Sequence, residues 1–411
     1  MSTVIVGAGQ AGAQVAATLR KEGYDKPITL IGNEPEPPYH RPPLSKAFLL
    51  GPAGETALHL RDESFYRDNT IELRLGTWVT GIDRTAQKVR LTGEALAYEH
   101  LVLATGARPR PLAVPGADLG GVLPLRSLSD ARELRARMTS ARSVVMVGGG
   151  FIGLEFAAVA ASEGREVTLL EAADRLMGRP VTEQVSRYFA DAHAERGVRV
   201  RLGTGAVELL GRRGEVTGVR ATDGQIHAAD LVVTGVGVVP NSELGEQAGL
   251  AVDNGILVDA GLRTADPRIH AIGDCARFPS AHLAAPVRLE SVQNAVDQAA
   301  HTGRRIATGE ARTYRELPWF WSDQKGIRLQ IAGLSTGYDQ VHLLGDPADG
   351  RFSALAFRAG RLVAVESVGR PAEHLAARRL LSSEIELTPV RAAAPDFDLK
   401  TFAADTAGLT A

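Results

Sequence analysis

Two glycine loops of identical spacing, each set between an apolar strand and a helix, constrain this chain more than any other feature. Gly7-x-Gly9-x-x-Gly12 follows the β-branched run Thr3-Val4-Ile5-Val6 and opens a helical stretch to about Glu22. Ala11, Val15, Ala16 and Leu19 recur there at helical spacing. A second apolar strand at 28–31 completes a βαβ unit. Gly148-x-Gly150-x-x-Gly153 repeats the arrangement, between a strand at 143–147 and a helix at 151–163, with the next strand at 167–170. The spacing permits a tight turn, lets backbone N–H groups approach a pyrophosphate and packs the helix closely on the strand. A single loop of this kind also arises for packing reasons alone. Two in the same context point to two dinucleotides, and hydride exchange between a donor and an acceptor implies a flavin and a nicotinamide. The motifs leave open which loop takes which.

Glu171 ends the second strand of the second unit, 18 residues beyond Gly153. A carboxylate there accepts ribose hydroxyls of NAD and repels a 2′-phosphate, so NADH is expected over NADPH. In the first unit the corresponding position is Asn33, with Glu34 beside it; either accepts a hydrogen bond from a ribose hydroxyl, and Glu34 alone carries charge.

Composition narrows the chemistry. The 411 residues contain one cysteine, Cys275, which excludes an intrachain disulfide, a cysteine-built metal centre and a redox-active cysteine pair. No metal site is expected; His40 has no Cys or His partner at ligand spacing. The net charge of -2 speaks against nucleic acid or an anionic membrane as a bulk partner. No apolar run approaches a membrane span, no basic region with an apolar signal segment opens the chain, and a cytoplasmic location is expected.

The first βαβ unit is followed by a loop with Pro35, Pro37, Pro38, Pro42 and Pro43, where five missing donors argue against any regular element. From about Trp321 alternating strands appear, with a turn at Ala359-Gly360, then a helix at about 371–381 and a polar tail. Arg41, in the proline loop, either touches a cofactor or is solvated. Trp319 and Trp321 either wall a flavin or fill a core.

Several blocks resemble one family, the FAD-dependent, NADH-using ferredoxin reductases of the putidaredoxin reductase and biphenyl dioxygenase ferredoxin reductase type. They are Pro42-Pro43-Leu44-Ser45-Lys46, Leu103-Ala104-Thr105-Gly106, the run from Gly148 to Glu155, Gly273-Asp274-Cys275-Ala276, Glu290-Ser291-Val292, and the run from Pro318 to Gln324. The resemblance implies an α/β, glutathione-reductase-like fold. Two Rossmann-like domains would be joined by a C-terminal α+β domain: FAD at 1–108 and 243–320, NAD inserted at 109–242, and the C-terminal domain at 321–411. It assigns the first glycine loop to FAD, with Gly7, Gly9, Ala11 and Gly12 at the pyrophosphate. Lys46, Val79, Arg126, Asp274 and Val292 match further FAD contacts, Asp274 at the ribityl or phosphate end. Gly148, Gly150, Ile152, Gly153, Glu155, Glu171, Arg179 and Gly237 match the NAD site. Lys46 and Glu155 are expected to pair as the catalytic residues, Lys46 near flavin N5 and Glu155 orienting the nicotinamide carboxamide.

The implied activity is transfer of a hydride from NADH to FAD, then of single electrons to a [2Fe–2S] ferredoxin. That ferredoxin would feed a haem-thiolate monooxygenase or a Rieske dioxygenase. Arg304-Arg305 and Arg378-Arg379 are candidates for its docking. The family often has Asp where Asn33 stands, and some members have Tyr where Phe151 stands. Rival readings are an NADH oxidase or NADH:acceptor oxidoreductase, and a flavin redox sensor resembling apoptosis-inducing factor. Rivals that reduce peroxides or disulfides need a cysteine near the proline loop, where Ser45-Lys46 stand.

Overall fold

Runs such as Thr3–Val6 and Ile28–Ile31 are apolar or β-branched and buried at every position, as strands covered on both faces must be. In the computed structural model, which describes residues 2–51, 54–383 and 385–407, they join a five-stranded, all-parallel sheet. Its order is Ile269–Ala271, His100–Leu103, Thr3–Val6, Ile28–Ile31, Ile71–Arg74. The helices Gln10–Lys21 and Val292–Thr308 pack together in the same core, where Val15, Leu19, Ala299 and Ile306 are buried. A three-stranded antiparallel sheet, Val79–Asp83, Lys88–Leu91 and Ala95–Ala97, belongs to the same compact unit, which comprises Met1–His40, Gly54–Arg108 and Val238–Glu316.

The second unit comprises Arg41–Ala53, Pro109–Gly237 and Leu317–Ala411. It contains a second five-stranded parallel sheet, ordered Val198–Arg201, Glu166–Leu170, Ser143–Val147, Leu231–Thr234, Val122–Pro124. It also contains a five-stranded antiparallel sheet, ordered Trp319–Gln324, Ile327–Gly333, Arg361–Val368, Arg351–Arg358, Gln340–Asp346. The expected α/β class, with two Rossmann-type sheets and an α+β C-terminal part, is the class observed.

Two local expectations are corrected. Pro42–Ser45 is a 3-10 turn, not an irregular loop. Both prolines fall at its first positions, where N–H groups have no intrahelical partner, so nothing is lost; the backbone N–H groups of Leu44 and Lys46 donate to the carbonyls of Arg41 and Pro43. The polar tail contains two helices, Pro389–Ala392 and Leu399–Ala407. Leu387, Ala392, Leu399 and Ala403 are spaced to reach one apolar cluster with Ala377 and Leu380 of the helix Pro371–Leu381. Residues 408–411 of that tail lie outside the described residues.

Candidate functional site

In the first glycine loop the three glycines are needed for different reasons. Gly7 has φ +114°, and a Cβ on it would strike the Ala104 carbonyl; a Cβ on Gly12 would strike the Gly7 carbonyl. A Cβ on Gly9 would meet nothing within 4 Å. The fold therefore does not require glycine at 9, and the open space beside its backbone is a cradle that a side chain would fill. Gly9 is also the N-cap of Gln10–Lys21, with no side-chain cap and no acidic residue in the first turn. An anion is the natural partner for such a helix start.

Asn33, Glu34, Val79, Asp274 and Val292, expected at FAD, belong to the same unit as this loop, whereas Arg41, Lys46, Arg126, Trp319 and Trp321 belong to the second unit. A Cβ on Gly273 would stand 3.3 Å from Cβ of Ala11 and 3.9 Å from that of Ala295. The turn holding Asp274 and the start of the helix holding Val292 thus meet the loop. The Gly273 N–H donates to Gln298 Oε1 at 2.7 Å, and Ser291 caps the Val292 helix by accepting from the Asn294 N–H at 3.0 Å. Asn33 is exposed at the end of the second strand. Glu34 is half-buried and accepts from the Tyr39 hydroxyl at 2.5 Å. The Gly32 carbonyl accepts from the Thr77 N–H, which brings Val79's segment alongside. Cys275 is fully buried, and burial pushes its thiol up.

The second loop repeats the first. Gly148 has φ +106° beneath Gly235, and Gly153 is closed by the Gly148 carbonyl, while a Cβ on Gly150 would meet nothing within 4 Å. Glu171 closes on this loop: one oxygen accepts from the Gly149 N–H at 2.6 Å, the other from the Ala173 N–H at 2.8 Å. Ile152 is 41% exposed at the helix start, an unusual place for an apolar side chain. Arg179 is exposed, and Gly237 has φ +96°.

Beside this loop, the expected ion pair is formed. Lys46 Nζ lies 2.6 Å from Glu155 Oε2, and Glu155 is buried on the first turns of Phe151–Ser162. Ser45 Oγ donates to Glu155 Oε2 at 2.6 Å, and Ser322 Oγ donates to Glu155 Oε1 at 2.7 Å. A buried carboxylate needs such partners, since removing one leaves charge uncompensated. Reading the sequence alone misses this role for both serines. The signal lies in the alternation of Trp319–Gln324, which turns Ser322 and Gln324 to the buried face and Trp319 and Trp321 to the other. Gln324 in turn bonds His193, whose pKa burial lowers, at 2.7 Å.

Trp319 and Trp321 stand side by side, ring centroids 5.5 Å apart, and Phe320 meets Phe151 at 4.4 Å. Arg41 donates to the Arg126 carbonyl at 2.8 Å, just before the capped helix Leu128–Met138. Of the basic pairs, Arg304 bonds Glu22 at 3.2 Å, and the Arg378 guanidinium lies 4.3 Å from the Trp319 ring centre. Among the described residues no helix is long and apolar enough to cross a membrane.

Comparison with known proteins places the chain in a family. Residues 1–299 match the family model for pyridine nucleotide-disulphide oxidoreductases, and residues 319–403 match the reductase C-terminal model. Rhodocoxin reductase of Rhodococcus erythropolis is 49% identical over 401 residues, covering 97% of this chain and 94% of that protein. The crystal structure of a ferredoxin reductase from Rhodopseudomonas palustris superposes with TM-score 0.95 at 47% identity, covering 98% of this chain and 99% of that one. Putidaredoxin reductase, in its covalent complex with putidaredoxin, superposes with TM-score 0.95 at 40% identity and 98% coverage of both chains. The chain belongs to the pyridine nucleotide-disulphide oxidoreductases, and within them to the ferredoxin reductases of the putidaredoxin reductase type.

Proposed function

We propose that this protein is an NADH-dependent, FAD-containing ferredoxin reductase. It takes reducing equivalents from NADH and delivers single electrons to a [2Fe–2S] ferredoxin, which serves a haem-thiolate monooxygenase or a Rieske dioxygenase. The observation that carries the reading is the pair of central glycines, Gly9 and Gly150, that the fold itself leaves unconstrained while their neighbours are locked. Similarity to a reductase solved in complex with its own redoxin supports the choice of acceptor. The cytoplasm, where NADH is available, is the location that goes with this activity.

Bound FAD supplies the conversion of a two-electron hydride transfer into one-electron steps. The residues of the chain hold and orient. In this reading 1–108 and 243–320 form the FAD domain. Gly7, Gly9, Ala11 and Gly12 meet the pyrophosphate, Asn33 or Glu34 the adenosine ribose, Asp274 the ribityl or phosphate end, and Val79 and Val292 complete the contacts. Arg41, Lys46, Arg126, Trp319 and Trp321 are the further FAD contacts of the proposal. Residues 109–242 form the NAD domain. There Gly148, Gly150, Ile152, Gly153, Arg179 and Gly237 line the dinucleotide and Glu171 accepts from its ribose hydroxyls. Glu155, held by Ser45, Lys46 and Ser322, orients the carboxamide, and Lys46 places its ammonium by the flavin ring. Residues 321–411 form the C-terminal domain.

The test compares NADH with NADPH as reductant for a [2Fe–2S] ferredoxin. Because Glu171 presents a carboxylate where NADPH carries a phosphate, kcat/KM should favour NADH by roughly a hundredfold, as expected for a like charge placed against a desolvated group. Equal use of both would sink the assignment of Glu171. No ferredoxin reduction alongside rapid dye or oxygen reduction would favour the NADH oxidase reading.

A further inference from the structure

A fully buried carboxylate, Glu366, stands on the strand Arg361–Val368 of the antiparallel sheet and is not a member of the ion pair described above. Its two oxygens accept from the Thr182 N–H at 3.0 and 2.9 Å, and one accepts from the Thr182 hydroxyl at 2.7 Å. Thr182 is the N-cap of the helix Glu183–Glu195 and supplies no side-chain cap itself, so the cap comes from Glu366 on another element. Two more residues of the C-terminal part grip the same stretch. Ser335 Oγ donates to the Pro180 carbonyl at 3.2 Å, and the Glu183 N–H donates to the Tyr338 hydroxyl at 3.2 Å.

The other end of the stretch is tied to the second glycine loop. The Met177 N–H donates to the Gly149 carbonyl at 3.0 Å, next to the N–H that Glu171 holds. Ser186 Oγ donates to the Leu176 carbonyl at 2.7 Å. The Arg175 guanidinium, the charged group facing Glu366, donates to the carbonyls of Val181, at 3.1 Å, and Gly178. Between the anchor at Met177 and the anchor at Pro180 lie only Gly178 and Arg179, and Arg179 is exposed.

We infer that Glu366 is a positioning residue for the nicotinamide-dinucleotide site: through Thr182 it fixes the segment that presents Arg179 beside the second glycine loop. Burying a carboxylate is costly unless its hydrogen bonds are made, and here the backbone N–H and the hydroxyl of Thr182 make three of them. The C-terminal part of the chain thereby sets the affinity for NADH. The inference rests on the proposed NAD contact of Arg179.

The experiment measures the Kd for NAD+ by calorimetry, and KM and kcat for NADH with a one-electron dye, on the FAD-loaded protein. It uses the unaltered chain, Glu366→Ala, Arg179→Ala and the double variant. Loss of the hydrogen bonds that hold this segment should raise Kd and KM about fivefold to tenfold in Glu366→Ala, with kcat held within about twofold. Because Glu366 acts through Arg179, the double variant should bind no more weakly than Arg179→Ala alone. The inference is overturned if Glu366→Ala leaves Kd unchanged while Arg179→Ala raises it, or if the two effects multiply. Arg179→Ala binding as tightly as the unaltered chain overturns the underlying assignment and the inference with it. If Glu366→Ala does not fold, Thr182→Ala, which removes one of the three bonds, decides: a smaller rise in Kd supports the inference and no change overturns it.

Discussion

Alanine at Gly9 and alanine at Gly7 are the same chemical change with opposite expected results. At Gly9 the backbone has φ -90° and ψ -161°, which any residue adopts, and the new methyl meets no protein atom within 4 Å. Gly9→Ala should melt like the unaltered protein when both are free of cofactor, yet retain FAD at least about tenfold more weakly, since in the proposed reading the methyl would stand where the pyrophosphate approaches the backbone. At Gly7 the methyl meets the Ala104 carbonyl at a φ of +114°, and Gly7→Ala should lose several kcal/mol, on the order of 3 or more, and fail to accumulate as folded protein. Thermal melts of stripped protein, with flavin content measured by absorbance, check both; equal flavin retention by Gly9→Ala would count against the cradle.

Glu366 carries the pH prediction. Burial raises its pKa from 4.5 to about 7, against the pull of its bonds to Thr182 and Ser335 and of Arg175. Between those values the folded protein holds a proton that the unfolded chain has released. The stabilising contribution is therefore complete below the unfolded pKa and is lost as pH rises through about 7, with roughly 1 kcal/mol lost for every pH unit crossed on the way. Glu366→Gln should flatten this decline, which melting temperatures from about pH 5 to 8 would show; curves of the same slope would refute the assignment.

Among the elements, the contact between Gln10–Lys21 and Val292–Thr308 depends on one small residue. A Cβ on Gly303 would lie 2.7 Å from Thr18 Cγ2 and 3.4 Å from the Val15 carbonyl oxygen. Gly303→Ala should cost about 1–3 kcal/mol by overpacking, read as a lowered melting temperature. No loss would mean that the two helices separate readily. The strands and helices around both glycine loops were legible because local periodicity decides them. The prolines of Pro42–Ser45 misled because their meaning depends on position: harmless at the first turn, disruptive further in. The tail helix Leu399–Ala407 carries only a scattered apolar pattern and is held by the cluster around Leu380 and Leu387.

For the whole molecule, a net charge of -2 leaves no strong overall field to draw in an acidic ferredoxin. If docking is electrostatic it uses a local basic patch, with Arg378 and Arg379 as candidates, while Arg304 already bonds Glu22. Ferredoxin reduction should therefore slow steeply as salt is raised past about 0.1 M, where the screening length nears 10 Å, while the transfer from NADH to an uncharged dye changes little. A flat response would exclude electrostatic docking. Sequence determined the two dinucleotide loops, the strands leading into them and the position of Glu171, because these follow from spacing along a single stretch of chain. It also brought Lys46 and Glu155 forward, by resemblance. Only the tertiary structure showed that Ser45 and Ser322 complete the shell of Glu155, that Gly9 and Gly150 alone among the loop glycines face open space, and that Glu366 clasps Thr182. Each of these joins residues more than a hundred positions apart or depends on what fills a volume, and no local pattern encodes either.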